Sequence, residues 1–214
     1  MNNMTKFERM FKMMTKPWVI VVSFALIALV YFYVDRPVSI AVHHLELIKL
    51  YPFLDPLTDF GFGAFYMVFF AIIAIIIRAL FHNELWERRA WFLWICVVVP
   101  NLICLILKVL LGRARPDMLF SAQMYGFYGL QKYSTYWSFP SGHTTTIMGL
   151  MFGLSAMFPR FLTGFVLFGA VIACSRVLLL KHYLSDVMIA SYLALLEVGL
   201  MYYWLSEHVK YENK

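Results

Sequence analysis

Six side chains suited to holding or transferring a phosphoryl group fall into three short segments of this 214-residue chain. The first segment reads Lys108-Val-Leu-Leu-Gly-Arg113-Ala-Arg115-Pro116, with Lys108 about one turn inside an apolar run that ends at Gly112. The second is Pro140-Ser141-Gly142-His143, and the third is Ser175-Arg176, five residues, His182, three residues, Asp186. Each segment alone has a plain reading. Lys108 can snorkel to lipid headgroups while Arg113 and Arg115 anchor on lipid phosphates. Pro-Ser-Gly-His can be a turn and helix N-cap, and His182 with Asp186, at i and i+4, can be a structural pair on one helix face. Together they make a cradle of three cations, two histidines and one carboxylate. A phosphoryl group in transfer spreads charge over its equatorial oxygens, and Lys108, Arg115 and Arg176 can stabilise that charge. Ser141 and Gly142, just before a helix N-terminus, can add amide donors.

The elements that must carry these groups are membrane helices. With 62% apolar and only 14% charged residues, the chain can supply several spans but no sizeable water-soluble core as well. Fibrous, disulfide-scaffold and disordered classes are excluded on the same grounds. Crossing roughly 30 Å of hydrocarbon takes about twenty residues. Six stretches meet or approach that length, near 17–34, 61–81, 90–111, 143–158, 161–180 and 184–205. The fourth is the shortest, cut off by Pro159-Arg160. The apolar run from Pro17 to Val34 follows four cations but ends in Asp35-Arg36-Pro37 instead of a small-residue cleavage site, so it reads as a retained span. Cys96, Cys104 and Cys174 lie in apolar runs and behave as small hydrophobes, with no disulfide expected. No linker or internal repeat interrupts the chain, so residues 1–214 read as one all-α membrane domain, a six-helix bundle with its motif region at 108–186.

Six spans put both termini on one side of the membrane. A cytoplasmic N-terminus assigns Lys6, Arg9, Lys12, Lys16, Arg78, Arg88, Arg89, Arg160, Lys210 and Lys214 to that side, ten of the eighteen cations. The bias sharpens if Lys108, Arg115 and Arg176 are set aside as functional, so it is consistent with the site's placement without proving it. Dispersed among apolar runs, these cations form no basic stripe for nucleic acid. In this topology the three motif segments, though spread over four helices, all meet at the outer face. Two long connections remain, 35–60 and 112–142. In the first, Ile40, Leu47 and Leu50, or Val42, Leu45 and Ile48, can line one face of an interfacial helix; an irregular loop punctuated by Pro52 and Pro56 is the alternative.

The spacing Lys108-x6-Arg115-Pro116, Pro140-Ser141-Gly142-His143, Ser175-Arg176-x5-His182-x3-Asp186 resembles the complete three-part signature of the type 2 phosphatidic acid phosphatase family. The first half of the chain adds only a compatible hydropathy pattern. The resemblance implies a membrane lipid phosphatase that works through a phosphohistidine. His182 would be the nucleophile, oriented by Asp186, which would accept its other ring proton. His143 would protonate the leaving oxygen and later activate water. Lys108, Arg115 and Arg176, with Ser141 and Gly142, would bind the phosphate, and Arg113 would sit at the outer rim as a headgroup contact. No metal or other cofactor is expected, because three cations take the place of a divalent ion. The expected partners are the bilayer and a lipid phosphate or pyrophosphate of the phosphatidylglycerophosphate, phosphatidic acid, undecaprenyl pyrophosphate or lipid A type. The small size suits a bacterial cytoplasmic membrane, with the site on its exterior. The alternatives are a lipid phosphotransferase sharing the same intermediate and a transporter, which would place its charges nearer the midplane. His43, His44, His82 and His208 fall outside the constellation.

Overall fold

In the computed structural model, which describes residues 4–45 and 50–212, helices account for nearly all regular structure and no strand forms among the described residues. The first helix, α1 (Lys6–Met14), starts at a capping box: the Glu8 amide donates to Thr5 Oγ1 at 3.2 Å, and the Thr5 amide to Glu8 Oε2 at 2.7 Å. Phe7 and Phe11, at i and i+4, are buried and leave Lys6, Arg9 and Lys12 outside. Pro17 then opens α2 (Pro17–Tyr33), at 72° to α1. It is followed by α3 (Asp35–Leu45), the short α4 (Leu54–Thr58), and α5 (Gly63–Ile76), which runs into a wide turn at Ile77–Phe81.

A long helix, α6 (Glu84–Leu111), is capped by the Asn83 side chain and ends at Gly112, whose φ of +54° closes the helix in the left-handed region. Beyond the short α7 (Pro116–Ser121), the second half comprises α8 (Gly142–Met157), α9 (Leu162–Leu178) and α10 (Leu184–Glu212). At the centre sits α8, buried from Thr144 to Gly153 and packed against α6, α9 and α10. Glycines let the backbones approach: a β-carbon on Gly149 would overlap the Cys96 carbonyl oxygen of α6. A polar clasp joins the same two helices, where Asn101 Nδ2 donates to Thr146 Oγ1 at 3.0 Å.

Four helical stretches are long and apolar enough to cross a membrane: Gly63–Phe81, Glu84–Leu111, Pro159–Leu178 and Leu184–Ser206. The bent pair α1 and α2 makes a fifth if counted as one span. At 16 residues, about 24 Å long, α8 falls short of that length and is sheathed by protein instead of lipid. The 35–60 connection is largely helical where described, with a turn at 51–53, but α3 does not lie as a free interfacial helix. It turns Asp35, Ser39 and Val42 into the protein and leaves Ile40 and Leu45 exposed; Leu47 and Ile48 lie outside the described residues. The 112–142 connection is a folded cap. Backbone amides of Ala114, Tyr128, Gly129 and Gln131 donate to the carbonyls of Gly126, Gly112, Leu111 and Val109, tying it to the end of α6.

Candidate active site

Chain direction brings the three segments together. The C-terminal ends of α6 and α9 meet the N-terminal ends of α8 and α10, so Lys108, Arg176, His143 and Asp186 arrive at one end of the four-helix group. The turn from α9 to α10 explains the third segment's spacing. The Arg176 carbonyl accepts from the amides of Lys181 and His182, at 3.0 and 3.2 Å, through a left-handed Leu180 at φ +52°. His182 therefore precedes α10 while Asp186 lies in its first turn. Asp186 Oδ2 also accepts from the Tyr183 amide at 2.9 Å, anchoring that turn.

His182 is 3% exposed, and its Nδ1 lies 2.7 Å from the Ser138 carbonyl oxygen. A carbonyl only accepts, so Nδ1 carries the proton and Nε2 presents the lone pair. Asp186 Oδ2 stands 3.7 Å from Nδ1, an ion-pair distance and not a hydrogen bond. The expected Asp186 acceptor is thus replaced by the backbone of Ser138, whose hydroxyl in turn donates to Asp186 Oδ2 at 2.6 Å. No local pattern in the sequence marks Ser138, which lies 44 residues away from His182. Burial is the main influence on the imidazole. Asp186 opposes it and Lys108 and Arg115 reinforce it, and the pKa of His182 falls to about 3, so the ring is neutral at physiological pH.

Each of the three expected phosphate-binding cations is held by a neutral partner and forms no salt bridge among the described residues. Lys108 Nζ donates to the Trp137 carbonyl at 2.7 Å, Arg115 Nε to the Ser134 carbonyl at 2.9 Å, and Arg176 Nη1 to Thr58 Oγ1 at 2.7 Å. The buried Nε of Arg176 has no partner among the described residues. His143 lies within the electrostatic range of Arg176, Lys108 and Arg115, and His182 within that of Lys108 and Arg115. Gly142 faces the stem of Lys108: a β-carbon there would sit 3.6 Å from Lys108 Cε. The expected role of Ser141 is modified: its amide donates to the Asp186 carbonyl at 3.3 Å, and its side chain caps α8 by accepting from Thr144. The amides of Gly142 and His143 then have no hydrogen-bond partner among the described residues.

Arg113 departs furthest from expectation. Instead of an outer rim residue it is fully buried, with Nη2 2.8 Å from Asp35 Oδ2 and Nη1 paired to Asp186 Oδ1 and, at 2.7 Å, to Ser185 Oγ. Tyr31, Tyr125, Phe127 and Tyr183 surround its guanidinium with rings 4.3–5.5 Å from Cζ. Burial opposes its charge, but Asp186 and Asp35 outweigh that and hold its pKa well above the ordinary arginine value. Three residues of the first half also escaped the sequence reading: Asp35 beside Arg113, Thr58 beside Arg176, and Gly61, against which His143 packs. The one signal available was Asp35 itself, a carboxylate at the end of an apolar run, where an unpaired charge is costly.

Residues 89–210, more than half of the chain, match the model of the PAP2 superfamily. The lipid A 1-phosphatase of Rhizobium johnstonii is 35% identical over 96 residues, 45% of this chain and 39% of the relative. The lipid A 1-phosphatase of Rhizobium etli is 34% identical over 96 residues, 45% of this chain and 41% of the relative. The chain thus spans about two-fifths of the length of the curated relatives it matches. No solved structure matches it. A family match that contains all three motif segments, on a fold that gathers them at one end of four helices, makes this chain a member of the PAP2 superfamily.

Proposed function

We propose that the protein is a membrane lipid phosphatase that hydrolyses a lipid phosphomonoester or pyrophosphate through a phosphohistidine on His182. The observation that carries this reading is the Nδ1–H contact to the Ser138 carbonyl, which leaves Nε2 with the free lone pair on a ring within electrostatic range of Lys108 and Arg115. Nε2 attacks phosphorus as the bond from phosphorus to the lipid oxygen breaks, and His143, protonated once the negative phosphate is bound among its neighbouring cations, gives its proton to that oxygen. The ring keeps its Nδ1 proton and becomes cationic, a charge that Asp186 stabilises from 3.7 Å. Water then attacks phosphorus and gives a proton to His143, releasing phosphate and returning His182 to its neutral form. Lys108, Arg115, Arg176 and the open amides of the α8 first turn bind the phosphate oxygens.

The proposed topology counts α8 as a span alongside the five others, with both termini cytoplasmic and the site on the exterior of a bacterial inner membrane. The named relatives favour a lipid A type of phosphate, with phosphatidic acid, phosphatidylglycerophosphate and undecaprenyl pyrophosphate as the comparison set. The test is phosphate release by purified protein across that set, together with trapping of an acid-labile, base-stable phosphoenzyme. His182→Ala should abolish both signals, and EDTA should leave the wild type active. Turnover by His182→Ala near the wild-type rate defeats the histidine mechanism; loss in EDTA that magnesium restores defeats metal independence.

A further inference from the structure

Asp35 lies outside the three segments and outside residues 89–210, yet it is 1% exposed and bonded to the same network as the proposed nucleophile. Its Oδ2 is 2.8 Å from Arg113 Nη2 and accepts from the Ser185 hydroxyl, while Oδ1 accepts from the Ser185 amide at 3.0 Å. The second amino group of Arg113 reaches Asp186. One guanidinium is therefore divided between two carboxylates, and the buried set Asp35, Arg113 and Asp186 carries a net charge of −1. Were Asp35 uncharged, Arg113 would neutralise Asp186 alone and the set would carry no charge.

We propose that Asp35 is a positioning residue for the histidine chemistry, holding Arg113 and Ser185 so that the carboxylate of Asp186 stays available to the ring of His182. The inference rests on the phosphohistidine reading above. In the resting state the set is one negative charge in excess; when the imidazole becomes cationic, the set and the ring together become neutral. The excess therefore favours the intermediate over the resting state, the condition for an interaction to speed the chemical step instead of merely tightening binding. Asp35 also fixes the start of α10 through Ser185, the residue immediately before Asp186. Its polar contacts, Arg113 and Ser185, are not among the proposed phosphate ligands, so its loss should act on kcat and not on KM.

The experiment compares wild type, Asp35→Asn, Asp186→Asn, the double variant and His182→Ala, in mixed micelles of phosphatidic acid and of lipid A. Steady-state kinetics and single-turnover formation of the radiolabelled phosphoenzyme are measured, with thermal midpoints taken alongside. Asp35→Asn should lower phosphoenzyme formation and kcat by about 10–100-fold, the size of coupling found between residues of one hydrogen-bonded network, with KM within about threefold. In the Asp186→Asn background the same change should cost less than about threefold, because its route to His182 is already cut. Unaltered kcat in Asp35→Asn, in an enzyme that His182→Ala inactivates, overturns the inference and leaves the phosphatase reading standing. Equal fold-losses in both backgrounds overturn it too, since they mark independent structural damage. Full activity in His182→Ala instead overturns the reading on which the inference rests. If Asp35→Asn does not fold, Arg113→Lys, which keeps the charge but cannot span both carboxylates, should show the same loss confined to kcat; an unchanged kcat there refutes the proposal.

Discussion

Gly61 supplies a sharp test of how His143 is positioned. It is buried in the turn Asp59–Gly61, and a β-carbon built on it would lie 2.7 Å from His143 Cβ and 3.1 Å from both His143 Cα and Cδ2. An ordinary contact is 3.4 Å or more, so Gly61→Ala forces an opening of about 0.7 Å. His143 cannot yield by swinging a flexible tip, since two of the three atoms are its α- and β-carbons in the first turn of α8. The strain should cost about 1–3 kcal/mol of stability, as for other overpacked sites. A displacement approaching an ångström at a proton donor should lower kcat by about 10–100-fold. The assay is kcat and KM for phosphate release from a lipid phosphate in micelles. Gly164→Ala serves as the control, because a β-carbon there meets nothing within 4 Å. Gly61→Ala with kcat within about twofold of wild type and an unchanged thermal midpoint would refute the packing argument.

Arg113→Leu should destabilise the protein by at least about 3–5 kcal/mol, because it strands two buried carboxylates; a rim arginine would cost under about 1 kcal/mol, and thermal melts in detergent distinguish the two. Thr58→Val removes the hydroxyl that holds Arg176 at 2.7 Å and should raise KM by about tenfold, in keeping with the roughly 1.5–3 kcal/mol of a hydrogen bond to a charged group; an unaltered KM would show that Arg176 does not need it. His182, neutral when folded down to about pH 3 but protonated near pH 6.5 when unfolded, leaves the unfolded chain with more bound protons between those values. Stability should therefore fall as pH drops through that window, and His182→Gln should flatten the slope of thermal midpoint against pH; equal slopes would contradict a buried neutral imidazole.

Composition and spacing made the helical membrane class and the three motif segments readable, since hydropathy and short-range spacing are local properties. Lys108, His143, Arg176, His182 and Asp186 could be proposed to meet because alternating helix directions bring their ends to one side. What escaped was long-range. Arg113 finds Asp35 across 78 residues and Asp186 across 73, and no local pattern separates it from Arg115, which two positions later bonds to the Ser134 carbonyl. The same holds for the Ser138 carbonyl, because a backbone group has no residue identity to read. The 112–142 segment looked like a loop because its order comes from scattered backbone hydrogen bonds, which leave no periodicity in the residue types.

The burial of α8 bears on how the chain is made. With 16 residues and Thr144, Thr145, Thr146 and Ser155 among them, this helix has little of its own to hold it in lipid. Its hydroxyls are satisfied within the protein: Thr145 and Ser155 donate to carbonyls one turn back, and Thr146 to Asn101 of α6. Two of the surfaces that cover it, α9 and α10, are synthesised after it. During translation α8 must therefore wait beside α6 until the following hairpin emerges, so biogenesis of the site ends with the segment that delivers His182 and Asp186. A nascent chain arrested before Leu184 would leave uncovered the α8 face against which α10 packs.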